Sequence, residues 1–414
     1  AYNAGVVTYS VVCVFFARRV VRPGLAFDFA LIRGMVVDVL PIAIGGGLTV
    51  AYDRLDIVLL QALTDDVEVG QYGLAYRLID MAVPLSFFLV GSVYPLLAGY
   101  YADAAWDAIL QCKQLLVAGE QAAWDAAQFV LARAKRLVDA LTTSHFQRWQ
   151  RVAAGEPRQR LALLTGFPRS GTTLLEQVLD AHPDVVGSEE LEIFSGEVFP
   201  RLGENHPPGA SLEQVLDELS PKQILDARQL YLASVQAILG EPIGTRLHLD
   251  KNPAMNLLIP AMKRIFPELK LVVALRDPRD VVVSCFLRYL PINPVSVCFL
   301  TLERTADRYR LDLDAWLKMR EMTGDWVEVR YENVVADLPR EARRTLSALE
   351  VPWDESILEY RTRAATKPVR SPSYEEISRP LFTTSIGRWQ NYQRQMAPVL
   401  SALDPLVAAL GYER

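Results

Sequence analysis

The sequence predicts an α/β domain, a parallel sheet with helices on both faces, preceded by an all-α membrane segment of about three transmembrane helices. Charge is the first observation behind this. Of the first 100 residues 14 are charged and none is Lys, against 78 of the remaining 314. The second is a set of long uncharged stretches confined to the first hundred residues. The third is the alternation, beyond about residue 160, of short apolar runs with helix-forming segments, the pattern of a sheet covered on both faces. These regimes divide the 414 residues into a membrane segment 1–102, a helical connector 103–157 and an α/β domain 158–414.

Composition removes several classes. With 51% apolar and 22% charged residues the chain is neither disordered nor collagen-like. Its cysteines, Cys13, Cys112, Cys285 and Cys298, are far apart with no C-x-x-C pair, and read as reduced core thiols. A net charge of -6 without a basic stripe argues against a nucleic-acid partner.

Residues 1–17 and 34–52 carry no charge and only Asp38, respectively, and Met81 to Ala102 are 22 consecutive uncharged positions. A helix of that length crosses the roughly 30 Å of hydrocarbon in a bilayer. The first stretch lacks the basic start of a secretory signal. Arg18, Arg19 and Arg22 follow it, so that loop is expected in the cytoplasm. The loop with Asp65, Asp66 and Glu68 then faces outside, and everything after about residue 103 returns to the cytoplasm. The expected location is the cytoplasmic (inner) membrane, with the α/β domain inside the cell.

Leu40-Pro41, DRLDIVLL (53–60), VGQYGLAYRLID (69–80) and VYPLL (93–97) resemble part of a polysaccharide flippase of the multidrug/oligosaccharide-lipid/polysaccharide (MOP) superfamily. The resemblance implies common ancestry. Such transporters have about a dozen helices, so three alone would need self-association or a transport partner. Asp53, Arg54 and Asp56 are costly inside a membrane; they either mark a functional site or sit near the outer interface or pair with one another.

The connector has helical apolar spacing punctuated at Gly119 and at Gly155-Glu156-Pro157, which predicts two helices and a turn. Arg160–Thr165 (RLALLT) then reads as a buried parallel strand, Gly166-Phe-Pro-Arg-Ser-Gly-Thr-Thr173 as a tight loop, and Thr172–Ala181 as a helix. Strand, glycine loop and helix N-terminus together make an anion cradle, because unpaired backbone N–H groups and the helix dipole converge. The fold is thus P-loop-type: the spacing is that of G-x-x-x-x-G-K-[ST], with Thr172 in place of the lysine. That lysine holds the outer phosphates of a nucleoside triphosphate, so a shorter anionic tail fits better.

In this setting P-R-S-G-T-T (168–173) resembles the 5′-phosphosulfate loop of sulfotransferases, which use 3′-phosphoadenosine-5′-phosphosulfate (PAPS). The resemblance runs over about 158–412, to the bacterial tetratricopeptide-associated members and to tyrosylprotein sulfotransferases. It implies that Arg169, Ser170, Gly171, Thr172 and Thr173 hold the 5′ end of PAPS. In the family the Arg and Ser of R-D-P-R-D-x-x-x-S meet the 3′-phosphate, here Arg276 and Ser284. Chemistry agrees, since an Arg at a strand end offers a permanent, forked cation; a surface pair with Asp277 or Asp280 is the competing reading. In His248-Leu-Asp-Lys-Asn-Pro253 the family's lysine against the leaving phosphate oxygen corresponds to Lys251. Cytosolic relatives carry a catalytic His two positions later, where this chain has Pro253.

The resemblance supplies another base. The tyrosylprotein-type pattern H-P-x-V-x-x-x-E-E is matched by His182-Pro-Asp-Val-Val-Gly-Ser-Glu-Glu190, with Glu190 falling 21 positions after Arg169. Glu190 is the expected general base, His248 a rival, and His182 a packing or capping residue. Tyr331 occupies the adenine position, or packs in the core. Ser385-Ile-Gly-Arg-Trp389 resembles the C-terminal G-x-W segment over the 3′-phosphate, with Ser385 and Arg388 as its contacts. Phe382-Thr-Thr384 stands where cytosolic relatives have R-K-G. No metal ligand set is apparent in the sequence.

The expected function is PAPS-dependent transfer of a sulfuryl group to an acceptor hydroxyl. The flippase-like neighbour alone suggests a membrane-linked glycan as acceptor. The alternatives are a P-loop kinase or NTPase, disfavoured by Thr172, and a polysaccharide-transport protein with an inactive cytoplasmic domain.

Overall fold

A computed structural model describes residues 102–152, 158–207, 209–288, 292–364 and 385–413. All of them lie in one compact unit, Ser86–Arg414. The stretches expected to span a membrane, their orientation and the flippase-like segments lie outside the described residues, Ala102 excepted. Among the described residues no helix is long and apolar enough to cross a membrane.

Alternating side chains divide the core into two layers. Strand β1 (Leu161–Gly166) is buried along its whole length. Its Leu161 and Leu163 join one apolar cluster, while Ala162 and Leu164 join the other. Strand β4 (Lys270–Leu275) does the same, with Leu271, Val273 and Leu275 on one side and Val272 and Ala274 on the other. A strand buried on both faces reads as an unbroken apolar run, which is why both strands were legible.

Three further strands complete the sheet: β2 (Val185–Glu189), β3 (Leu247–Lys251) and β5 (Trp326–Arg330). The order is β2-β3-β1-β4-β5 and each pairing is parallel. The sequence reading omitted β2. Its VVGSE is short, contains Gly187 and Ser188 and lies at the sheet edge, so it lacks the apolar run that marks β1 and β4.

One face is covered by α4 (Thr172–Asp180), α9 (Tyr331–Ala336) and α10 (Leu338–Ala348). Every residue of α4 is buried. The opposite face carries α5 (Pro221–Leu239), α6 (Ile259–Ile265), α7 (Pro278–Leu287), α8 (Leu302–Arg320) and α11 (Gln393–Ala409).

The connector forms three helices, not the expected two: α1 (Ala102–Gly119), α2 (Gln121–Ala140) and α3 (Thr143–Val152). The additional break falls at Leu141, whose backbone is extended (ψ 146°), and at Thr142, whose hydroxyl meets Ser144 and His145 at 2.8 Å. Local side-chain bonds of this kind compete with helix continuation. Trp106, Ile109, Leu131 and Trp149 from these helices are buried in the same cluster as α7 and α8. Lys113 is drawn in with them and donates from Nζ to the Phe299 carbonyl. Burial pushes its ammonium down to about 7, against a smaller opposing effect of Cys285.

Candidate active site

A parallel sheet brings all its carboxyl ends to one edge, and that edge is where open α/β sheets hold ligands. Here it collects the loop after β1, Glu190 after β2, Lys251 at the end of β3, Arg276 after β4 and Tyr331 after β5.

The loop from Gly166 to Gly171 is shaped by two glycines. A Cβ on Gly166, at φ 138°, would collide with the Ala274 carbonyl on the neighbouring strand. At Gly171, φ is 94° and a Cβ would lie 2.7 Å from the Tyr331 ring. Gly171 is the N-cap of α4 and supplies no side chain to it. The first helical bond runs from Leu175 N to the Gly171 carbonyl, leaving the first-turn N–H groups without helical acceptors. Ser170, Thr172 and Thr173 are buried around this cradle. The loop and the start of α4 thus enclose a small cradle at this edge of the sheet.

Arg169 adopts φ 72°, a left-handed conformation that costs an L-residue about 1–3 kcal/mol and concentrates at functional sites. Glu190 (φ 29°) and Ala254 (φ 64°) are left-handed too, and both flank the same edge. Ala254 N donates to the Gly166 carbonyl at 2.8 Å, and Glu190 N donates to the Lys251 carbonyl at 2.9 Å. Glu190 and Ala254 are thus pinned to the strand ends by backbone bonds.

Lys251 is fully buried, its Nζ 2.8 Å from Glu190 Oε1 and 3.3 Å from Glu176 Oε2. Burial alone would lower its pKa, but Glu176, Glu190 and Glu189 together outweigh that effect and raise it. The Glu190 side chain is 45% exposed, so it can reach an incoming group while Lys251 cannot leave its position. The sequence reading placed Lys251 and Glu190 together and missed Glu176. The available signal was an acid inside TTLLEQVLD, a helix otherwise buried by its leucines.

On the other side of β1, Arg276 donates from Nη1 to the Arg169 carbonyl at 3.2 Å and from Nη2 to the Ser385 carbonyl. Its guanidinium lies 4.8 Å from the centre of the Tyr331 ring. Asp280 stands 3.7 Å away, and the Nε of Arg276 is buried without a hydrogen-bond partner among the described residues. Asp277 pairs with Arg279 at 2.7 Å instead, so of the two competing partners for Arg276 it is Asp280 that approaches it, in a buried contact and not a surface one. Ser284, on α7, accepts from Arg169 Nε at 3.2 Å.

Asp280, whose role the sequence did not reveal, is fully buried and accepts from Gly387 N at 2.8 Å and Trp389 N at 2.9 Å. It ties the C-terminal segment to α7, so that the Ser385 carbonyl reaches Arg276. Arg388 opens a half-buried turn, Arg388–Tyr392, in the same segment. Phe382–Thr384 lie outside the described residues.

The rival base His248 and the core thiol Cys285 are both buried. His248 is completely buried, shares a 2.9 Å hydrogen bond with Ser188, and burial pushes its imidazole down to about 3. Cys285 contacts the Pro168 carbonyl at 3.3 Å, and burial pushes its thiol up to about 12. His182 closes the turn into β2, accepting from Asp184 N at 3.0 Å and reaching the Pro352 carbonyl at 2.8 Å.

Residues 162–355 match the sulfotransferase family. Over 278 residues the chain is 26% identical to protein-tyrosine sulfotransferase 1 of Danio rerio, covering 61% of this chain and 72% of that protein. It is 24% identical over 310 residues to an uncharacterized protein of Aquifex aeolicus, covering 73% of this chain but only 39% of the relative. The sulfotransferase domain of the Synechococcus PCC 7002 olefin synthase is a structural neighbour at TM-score 0.39 and 22% identity, covering 57% of this chain and 91% of that domain.

Proposed function

Since residues 162–355 belong to the PAPS-dependent sulfotransferase family, we propose that this chain moves a sulfuryl group from PAPS to a hydroxyl on a membrane-linked glycan, at the cytoplasmic face of the inner membrane. One observation carries the catalytic part. An exposed carboxylate and a buried ammonium, Glu190 and Lys251, meet at 2.8 Å beside an anion-binding loop.

The donor set fits an organic bisphosphate with a sulfated end. The helix dipole of α4 points its positive end at the loop, and the buried Arg276 Nε makes no hydrogen bond among the described residues. The backbone of 169–173, with Arg169, Ser170, Thr172 and Thr173, would hold the 5′ end. Arg276 and Ser284, helped by Ser385 and Arg388, would hold the 3′-phosphate, and Tyr331 would face the adenine. PAPS, when bound, supplies the sulfuryl group and a good leaving phosphate.

Glu190 takes the proton of the acceptor hydroxyl as its oxygen bonds to sulfur, a contribution of about 10²–10⁴-fold in rate for a positioned base. The sulfur–oxygen bond to the nucleotide phosphate breaks, and Lys251 Nζ stabilises the charge left on that oxygen. Removing one such aimed donor commonly costs about 10²–10³ in turnover. The glycan and membrane parts rest on the resemblance of residues 40–97 to a flippase and on the basic loop Arg18–Arg22.

The test uses the full chain in lipid vesicles with sulfur-labelled PAPS and a panel of lipid-linked sugars, soluble sugars, tyrosine peptides and small alcohols. Label on the lipid-linked sugar is the expected result. Label on peptides or alcohols and none on lipid-linked sugar overturns the acceptor. Tight ATP·Mg binding with PAPS ignored overturns the reaction.

A further inference from the structure

We propose that Glu176 is a positioning residue for Lys251, the fixed and buried half of a two-carboxyl clamp whose exposed half, Glu190, is free to turn to an acceptor hydroxyl. This rests on the sulfuryl-transfer reading above. The geometry separates the two halves. Glu176 is 1% exposed in the first turns of α4, and its Oε2 makes no hydrogen bond of good geometry among the described residues. The atom it faces is Lys251 Nζ, at 3.3 Å. Glu190, by contrast, projects to solvent from the end of β2.

The division matters at the moment of transfer. Once Glu190 has taken the hydroxyl's proton it is neutral, and its hold on the ammonium weakens as the leaving oxygen needs that charge. Glu176 is then the contact that keeps Nζ in place under the loop.

It can do so without cancelling the charge. Burial, first of all, pushes Glu176 up to about 8, with Glu189 and Asp180 raising it further and Lys251 opposing them. Lys251 in turn faces Glu190 and Glu189 from β2 and Glu176 from α4, with Asp250 beside it on β3. Held so far above the usual carboxylate range, Glu176 takes less from the Lys251 charge than a fully ionised carboxylate would. A glutamine has the same shape and the same oxygen, whereas a leucine has the volume alone.

Two measurements on the full chain decide the matter. In steady-state turnover, Glu176→Gln should keep kcat within about threefold, while Glu176→Leu should lose about tenfold or more, the value the contact reaches if it tightens to a hydrogen bond to a charged group as Glu190 lets go. The KM for PAPS should stay within about threefold in both, since the loop is untouched. Above pH 8 the wild type should lose kcat as Glu176 ionises beside Lys251, and Glu176→Gln should not. Equal activity of the Gln and Leu variants, or an alkaline limb that survives in Glu176→Gln, overturns the proposal.

The second measurement needs no turnover. The side-chain carboxyl ¹³C signal of Glu176, assigned by its loss in Glu176→Gln, should titrate far above an ordinary Glu. In Lys251→Met its midpoint should move up by about 1 pH unit or more, as expected on losing a cation within 4–6 Å. An unmoved midpoint overturns the clamp even if Glu176→Leu fails to fold. A wild type that transfers nothing from PAPS, yet shows the moved midpoint, overturns the reaction and leaves the Glu176–Lys251 contact standing.

Discussion

The two flanks of β1 meet the same edge of the sheet with different chemistry. Toward β3 and β2 stand Lys251, Glu176, Glu189 and Glu190, ionisable groups of both signs; burial pushes Glu176 up, and the burial of Lys251 is outweighed by the carboxylates around it. Toward β4 and β5 stand Arg276, Arg279 and Tyr331, with a guanidinium that stays charged at any working pH. Bond-making needs a group that can take up a proton and another whose charge is available on demand. Holding a phosphate needs a charge that never varies. Under the proposed reaction, each requirement falls to a separate pair of strands.

The largest effects should come from the proton-exchanging flank. Glu190→Gln should lower kcat by about 10²–10⁴-fold, the usual worth of a general base. Lys251→Ala should lower it by about 10²–10³-fold, with Lys251→Met giving the same loss while filling the volume. Calorimetry with 3′,5′-bisphosphoadenosine should find all three variants binding nearly as the wild type does. A matching collapse of binding would erase the division between the flanks.

Arg276→Ala should do the reverse. Losing charge-assisted bonds worth about 1.5–3 kcal/mol should weaken the bisphosphate about ten- to a hundredfold, with kcat at saturating PAPS little changed. Unchanged affinity would remove Arg276 from the binding flank.

A smaller effect sharpens the comparison from inside. His248 lies on the proton-exchanging flank but is silenced by burial, its pKa pushed down to about 3. Its contribution to stability is complete above the unfolded-state pKa of about 6.5 and shrinks as pH falls toward 3, by at most about 1.4 kcal/mol per pH unit. Denaturant melts of the wild type and of His248→Gln, which keeps a partner for Ser188, should diverge across that window. Parallel curves would mean that His248 takes up its proton as readily in the folded protein as in the unfolded chain.

The central strands and the loop were readable because they are local: an apolar run, then glycines at fixed spacing. Lys251 and Glu190 were readable because each ends its own short pattern. Glu176 was not, because its partner is brought to it by strand order and no spacing within α4 points across to β3. Asp280 was hidden in the same way, since what it holds is a pair of backbone N–H groups more than a hundred residues later. Strand β2 escaped because an edge strand needs only one buried neighbour, and Gly187 and Ser188 suffice there.

The helices α1 to α3 bear on how the protein can be taken apart. Trp106 lies 4.8 Å from Phe286 of α7 and 5.7 Å from Tyr392, and Trp149 Nε1 donates to Asp217 at 2.8 Å. A fragment beginning at residue 158 keeps every residue assigned to chemistry here but loses the wall behind the helix that carries Ser284. Such a fragment would expose tryptophan-sized hollows and be prone to clump, so a portable version should start no later than residue 102.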